Sequence, residues 1–337
     1  DLDLIVRADN LGFKEVWVGE HVTERWENAP CPDLLLAKAS AMTKNILLGT
    51  GVNLLTLHNP VELGHRIAML DHLTHGRLQW GIGHRAITED LQLFGLDSLQ
   101  GDEVRERAAE ALDLILEMWA SEGKFSFKGK YFDIDAPELD PIRERGLHMK
   151  PLQKPHPPIF VAASSGRSAS IRTAARRGYL PMSSSGLAPR FLAEHWSVIE
   201  DSAAEVGTIV NRSDWRIARD VFIAKTDDLA RERARAVLGR NYIQHQLPNR
   251  ANSGQIQNAK LTPDIPDEAL DVDYMMENIW IVGGPQQCAD KIRKLYNEVG
   301  GFGHLLAITQ DPDDPTWEHE TLDLLKEEVA PRVADLI

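Results

Sequence analysis

The chain has 337 residues, with 37 Lys and Arg against 51 Asp and Glu, a formal net charge of -14 at pH 7. That balance disfavours phosphate polymers and anionic membranes as partners, since both would be repelled unless a local basic patch prevailed, and the sequence shows none. The two cysteines, Cys31 and Cys288, lie far apart and supply neither a disulfide framework nor a metal-type cluster. No apolar run approaches the roughly twenty residues that span a bilayer, and no charged-then-apolar leader opens the chain. A protein of the reducing cytoplasm is expected.

The chain begins in helical period at "DLDLIVRADNLGF", so an upstream segment holding one strand is expected. "EVWVGEH" (Glu15 to His21) then reads as a strand whose exit Gly19 punctuates. "PDLLLAKASAMT" reads as a helix, "NILLGTGVNLL" as a buried strand, "NPVELGHRIAMLDHLT" as a helix with Pro in its first turn, and "RLQWGIG" as a strand. "DEVRERAAEALDLILEMW" follows as an amphipathic helix with Ala109, Leu112, Ile115, Leu116 and Trp119 on one stripe. The stretch from Phe125 to Pro157 breaks the alternation and reads as a strand-hairpin insertion. The beat resumes with "PPIFVAAS", the helical "SASIRTAARRG", "YLPMSS", a helix from Arg190 to Val206, "WRIARDVFIAK" and "DLARERARAVLG". A polar stretch from Gln246 to Asp273 reads as a mobile lid. "CADKIRKLYNEVG", "HLLAIT" and a closing helix, "ETLDLLKEEVAPRVADL", complete the chain.

Seven visible strands plus the expected upstream one give eight, separated by helices. The expected fold is α/β: a (β/α)8 TIM barrel forming one domain over residues 1–337, with insertions after its fourth and seventh strands. An open doubly wound sheet uses the same local units. Gly81-Ile82-Gly83-His84-Arg85-Ala86 satisfies the Gly-x-Gly-x-x-Gly/Ala fingerprint, but a dinucleotide site needs an acid at the end of the next strand, about twenty residues on. Glu103 and Glu106 sit there on a helix, so the Rossmann reading fails on context.

In a closed barrel the carboxyl ends of the strands surround one cavity, so their polar residues are read together: Glu20 and His21, Asn53, His84 and Arg85, Ser164 and Ser165, Ser183 and Ser184. His21 is a candidate proton donor or acceptor, though a loop histidine is also ordinary polar surface. "ASSGRSASIRTAARRG" sets hydroxyls, a glycine and Arg167 ahead of a helix, a phosphate cradle in outline or plain serine capping. Gly81 and Gly83, with His84 and Arg85, are expected to serve the same phosphate. His58, His65, His72 and His75 invite a metal reading, but their spacing lacks a His-Glu-x-x-His pattern, so no metal is expected. Trp26 and Trp280, with Met182, are candidates for an apolar substrate pocket or for core packing.

Several stretches together resemble the bacterial-luciferase-like flavin monooxygenase family: "LGFKEVWVGEH", the run from "LLGTGVNLL" through "GIGHRAITEDLQLFG", "PHPPIFVAASSG", "AARRGYLPMS" and "IVGGPQQCADKI". "GEHVTERWENAPCPDLLLA", "NIWIVGGP", "LYNEVGGFGHL" and "KEEVAPR" are similar to the limonene-type and diketocamphane-type (type II Baeyer–Villiger) subgroup. The resemblance implies a (β/α)8 barrel that binds FMN, received as FMNH2 from a separate NAD(P)H:flavin reductase, and oxygenates a small apolar ketone, aldehyde or alkene through a flavin C4a-peroxide. By position it implies His21 and Glu20 as catalytic residues. A non-proline cis peptide falls at Gly51-Val52, beside Asn53. Phosphate contacts fall at Gly83, His84 and Arg85, where the family has Arg-Gly, and at Ser164, Ser165, Gly166 and Ser168. It also implies a homodimer. The rivals are an F420-dependent oxidoreductase on the same barrel, a non-catalytic flavin-binding protein, and a sugar-phosphate isomerase.

Overall fold

The computed structural model describes every residue of the chain except Arg85, Ala86 and Ile337. It divides into two compact units, Asp1–Phe160 and Val161–Ile337. No helix among the described residues is long and apolar enough to cross a membrane.

The first unit carries β1 (Glu15–Val18), β2 (Leu47–Leu54) and β3 (Leu78–Gly83), paired in parallel in that order. Glu15 aligns with Leu47 and Leu48 with Leu78. Between the strands run the helices Pro32–Ser40 and Pro60–Leu73; Asn59 caps the second by accepting from the N–H groups of Val61 and Glu62. This is the crossover that parallel strands require. The helix Gly101–Ala120 buries Val104, Ala108, Ala111, Leu112, Leu114, Ile115, Met118 and Trp119. Of the expected stripe only Leu112, Ile115 and Trp119 are among them, so the buried face is rotated from the expected one. The expected hairpin is present: β4 (Phe125–Lys128) and β5 (Asp133–Ala136) pair antiparallel.

In the second unit, β7 (Leu180–Ser183), β8 (Arg216–Ile223) and β10 (His304–Ile308) run parallel, and β9 (Ile281–Gly283) also pairs with β8. The division between the units falls within β6 (Ile159–Ala163). Every residue of β8 is buried, as a strand covered on both faces must be. β9 is absent from the sequence reading because three residues beside a helix are too few to show a period. The stretch read as a mobile lid is built of short helices, among them Leu247–Asn252, Ile256–Ala259 and Val272–Asn278.

The glycines that mimic a dinucleotide fingerprint answer to packing. A Cβ on Gly81 would lie 2.0 Å from the Thr50 carbonyl oxygen and 3.2 Å from Trp17 Cζ3; one on Gly83 would meet Val52 Cγ2 at 2.7 Å. Trp17 fills the space beside these strands and meets Phe160 edge-on at 4.8 Å between ring centres. The close approach expected of these two glycines is thus to a neighbouring strand of the protein itself.

Gly81→Ala is expected to cost at least the roughly 1–3 kcal/mol of an overpacked core, because backbone rather than a mobile side chain stands in the way. Gly101→Ala, with nothing within 4 Å of its Cβ, is expected to leave stability within about 0.5 kcal/mol. Urea denaturation of the two variants against the parent protein checks both values.

Candidate functional site

In the first unit the chemistry gathers beyond β1. Glu20 is 3% exposed. Its Oε2 accepts from Asn53 Nδ2 at 3.1 Å and from the Leu54 backbone N–H at 2.9 Å, and its Oε1 pairs with His58 Nε2 at 2.6 Å. Asn53 in turn accepts from Trp80 Nε1 at 3.2 Å. Burial pushes the Glu20 carboxyl up, but the His58 bond and charge, followed by the bonds from Leu54 and Asn53, outweigh it and hold the pKa below the usual carboxylate range. Glu20 is therefore an anion committed to three partners. His58, read as one of four scattered histidines, is among them. The other three go elsewhere: His65 Nδ1 to the Val61 carbonyl, His72 Nε2 to that of Lys150, and His75 to a turn with φ 55°.

His21 faces the loop that follows it. Its Nε2 lies 2.9 Å from Glu27 Oε2 and its Nδ1 3.0 Å from Glu24 Oε2. The loop is pinned at two places: His21 N–H donates to the Ala29 carbonyl at 3.3 Å, and Thr23 donates to the buried Asp90 Oδ1 from both its backbone N–H (3.0 Å) and its hydroxyl (2.7 Å). Burial alone would lower the His21 pKa, yet the hydrogen bond and charge of Glu27, with the charges of Glu24 and Asp90, raise it. One ligand atom each from His21, Glu24 and Glu27 lie within 4.8 Å of one another. Each ring nitrogen faces a different carboxylate, the geometry of an imidazolium between two anions. Nδ1 nevertheless has no hydrogen-bond partner among the described residues. Trp26, on the same loop, is 38% exposed.

The Gly51-Val52 peptide is cis, where the resemblance placed it, and the register between β2 and β3 shifts between Thr50 and Asn53. Both residues are half-buried. His84 is half-buried, and its carbonyl accepts from the Thr56 hydroxyl at 2.7 Å. Arg85 lies outside the described residues.

In the second unit the serine run forms a turn between β6 and the helix Ala169–Arg177. Ser168 caps that helix by accepting from the Ser170 N–H at 3.2 Å. The hydroxyls of the half-buried Ser164 and the exposed Ser165 have no partner among the described residues, while their carbonyls are both taken. Free hydroxyls at the start of a nine-residue helix suit a monophosphate, an anion that needs donors. Gly166 is buried, and a Cβ on it would meet Glu194 Oε2 at 2.2 Å. Met182 is buried on β7. Trp280 is buried in the core, edge-on to Tyr242 at 5.6 Å between ring centres.

Several polar residues of this unit that belong to no sequence motif are buried. Arg219 is fully buried on β8; its guanidinium donates to the carbonyls of Ala218 (3.0 Å) and Leu187 (2.9 Å), and burial brings its pKa down to about 10. Beside it in sequence, Asp220 is held above the usual carboxylate range by burial, against the charge of Arg250. Arg250 reaches the carbonyls of Gly186 and Ser185, both at 3.3 Å. Their sequence signal was present, since charged residues inside an apolar strand are costly unless paired.

Comparison with known proteins decides the family. The model of luciferase-like monooxygenases matches residues 2–301. This chain belongs to the luciferase-like monooxygenase family. Among its luciferase-like relatives, 2,5-diketocamphane 1,2-monooxygenase 1 of Pseudomonas putida is 31% identical over 98% of this chain and 93% of its own length. Limonene 1,2-monooxygenase of Rhodococcus erythropolis is 30% identical over 98% of this chain and 80% of its own. A solved structure, the oxygenating constituent of 3,6-diketocamphane monooxygenase from Pseudomonas putida, described as a type II Baeyer–Villiger monooxygenase in complex with FMN, superposes with TM-score 0.90 at 29% identity. It covers 98% of this chain and 92% of its own. The (β/α)8 fold class expected from the strand count is the luciferase-like fold this likeness shows.

The folded Glu20 pKa lies below its ordinary value of 4.5, so its contribution to stability is full above that pH and is lost as pH falls through the folded value. Glu20→Gln is expected to cost about 1–3 kcal/mol at pH 7, with the gap to the parent protein narrowing in acid. Urea denaturation at pH 7 and pH 4 measures it; a gap of equal size at both would contradict the assignment.

Proposed function

We propose that this luciferase-like protein is the oxygenase of a two-component system, receiving FMNH2 from a separate NAD(P)H:flavin reductase and using O2 to oxidise a small apolar ketone, aldehyde or alkene. The observation that carries the reading is the likeness, across 98% of the chain, to an FMN-bound type II Baeyer–Villiger monooxygenase. The unpartnered donors at Ser164 and Ser165 are consistent with it. Bound reduced FMN supplies the oxygen-activating chemistry.

The rest is the work of this chain's own residues. In the second unit, Ser164, Ser165, Gly166 and Ser168 hold the phosphate. In the first, Gly51, Val52, Asn53, His84 and Arg85 would contact the cofactor. His21 manages a proton on its ring, whose Nδ1 lies 3.0 Å from Glu24 and whose Nε2 lies 2.9 Å from Glu27. The state of that proton separates attack on a carbonyl from oxygen delivery to an alkene. Glu20 acts as a positioning residue through Asn53 and Leu54. Trp26 and Met182 give apolar contact to the substrate, and Trp280 packs the core.

We place the enzyme in the cytoplasm as a homodimer. Leu34, Met69 and Leu73, exposed on the helices Pro32–Ser40 and Pro60–Leu73, and Met42 just beyond the first, offer apolar surface for a second copy.

Incubation with a flavin reductase, NADH, FMN and labelled O2 over a panel of terpenes, cyclic ketones and long-chain aldehydes is expected to place one labelled oxygen atom in product; reduced F420 is expected to support none. Product formed with F420 and without O2 would replace the reading. His21→Ala is expected to bind FMN nearly as the parent does yet consume O2 without matching product. Full coupling in that variant would remove the proton role.

A further inference from the structure

A buried chain of hydrogen bonds runs through the second unit to the turn that follows β6. Trp215, Ser183 and His195 are each fully buried. Trp215 Nε1 lies 2.9 Å from Ser183 Oγ, Ser183 Oγ lies 2.8 Å from His195 Nδ1, and His195 Nε2 lies 2.5 Å from the Ser165 carbonyl oxygen. A carbonyl only accepts, so Nε2 carries a hydrogen, and an indole only donates, so Ser183 accepts from Trp215. Burial brings the His195 pKa down to about 4, which keeps the ring neutral at pH 7; Nδ1 then accepts the hydrogen of the Ser183 hydroxyl.

The neighbouring peptide is held the same way. Asn258 Nδ2 donates to the Ser164 carbonyl at 2.8 Å, and the Asn258 carbonyl accepts from the Ala188 N–H at 2.7 Å. Two successive carbonyls of the turn are thus drawn onto fixed donors. In a trans peptide the C=O and the following N–H point in opposite directions. Drawing in the carbonyls of Ser164 and Ser165 turns the N–H groups of Ser165 and Gly166 to the other side and removes two oxygens that would repel an anion. Nothing in this arrangement is needed to cap the helix, which Ser168 does alone.

We infer that His195, backed by Ser183 and Trp215, and Asn258 are positioning residues that orient the Ser164–Gly166 peptides toward the phosphate of the cofactor. The inference rests on the phosphate assignment made under Proposed function. A network that served only to hold the fold would affect a phosphate-bearing and a phosphate-free flavin alike.

Binding of oxidised FMN and of riboflavin, followed by flavin fluorescence on folded protein, makes that distinction. His195→Leu leaves the Ser165 carbonyl and the Ser183 hydroxyl without partners; it is expected to weaken FMN at least tenfold and riboflavin hardly at all. His195→Gln, whose Nε2 reaches the same carbonyl, is expected to recover most of the FMN affinity. Asn258→Ala, on a different segment, is expected to show the same selective loss and serves if His195→Leu fails to fold. Equal weakening of both flavins, or an unchanged preference for FMN in both His195→Leu and Asn258→Ala, overturns the inference alone. A parent protein that binds riboflavin as tightly as FMN overturns the phosphate assignment and this inference with it.

Discussion

A carboxylate taken out of water must be matched by donors, and in the first unit that requirement falls on Glu20. A buried, unpaired carboxylate would cost several kcal/mol, so its surroundings have little freedom. The donors come from the end of β2, through Leu54 and Asn53, and from His58 in the loop beyond it. Asn53 extends the network to Trp80 on β3. One charge thus ties the exit of β1 to that of β2 and, through Asn53, to Trp80 within β3. With Glu20 so engaged, His21 is left to face the loop that carries Glu24 and Glu27.

The interior of the same unit explains a motif that misleads when read by pattern alone. Trp17 presents a large flat ring, and the residues it crosses on adjacent strands are glycines: a Cβ on Gly49 would come within 2.3 Å of the ring, and one on Gly81 within 3.2 Å. Gly81 is further confined by the Thr50 carbonyl. The Gly-x-Gly at 81 and 83 therefore reports close-packed strands beside an aromatic ring, in a place where a dinucleotide fold would report a pyrophosphate. Both need glycine for the same reason, the near approach of bulk to backbone, and a pattern cannot tell which bulk is meant.

The second unit handles buried polarity in two ways. His195 is buried as a neutral ring with both nitrogens hydrogen-bonded, so it costs little and specifies one arrangement. Arg219 is buried with its guanidinium committed to the carbonyl oxygens of Ala218 and Leu187. The segment from 246 to 273, polar enough to read as mobile, makes side-chain bonds of the same kind: Arg250 and Asn258 spend donors on backbone carbonyls, and its Leu270 carbonyl accepts from the Tyr242 hydroxyl.

The sequence alone determined the alternation of strands and helices, the antiparallel hairpin, the family, the cis peptide position and the two stretches where chemistry gathers. Periodicity and turn residues are local signals, and a burial pattern of period 2 or 3.6 is visible within a dozen residues. It missed β9 and placed the buried stripe of the long helix only in part, because short or rotated faces leave weak local traces. Only the tertiary structure decided what each candidate touches. Glu20 meets His58 across 38 residues, the Ser165 carbonyl meets His195 across 30, and the Ser164 carbonyl meets Asn258 across 94. Such pairings depend on which strand exits come together in space, and hydrogen bonds are decided at about 3 Å, a scale on which spacing along the chain carries no information.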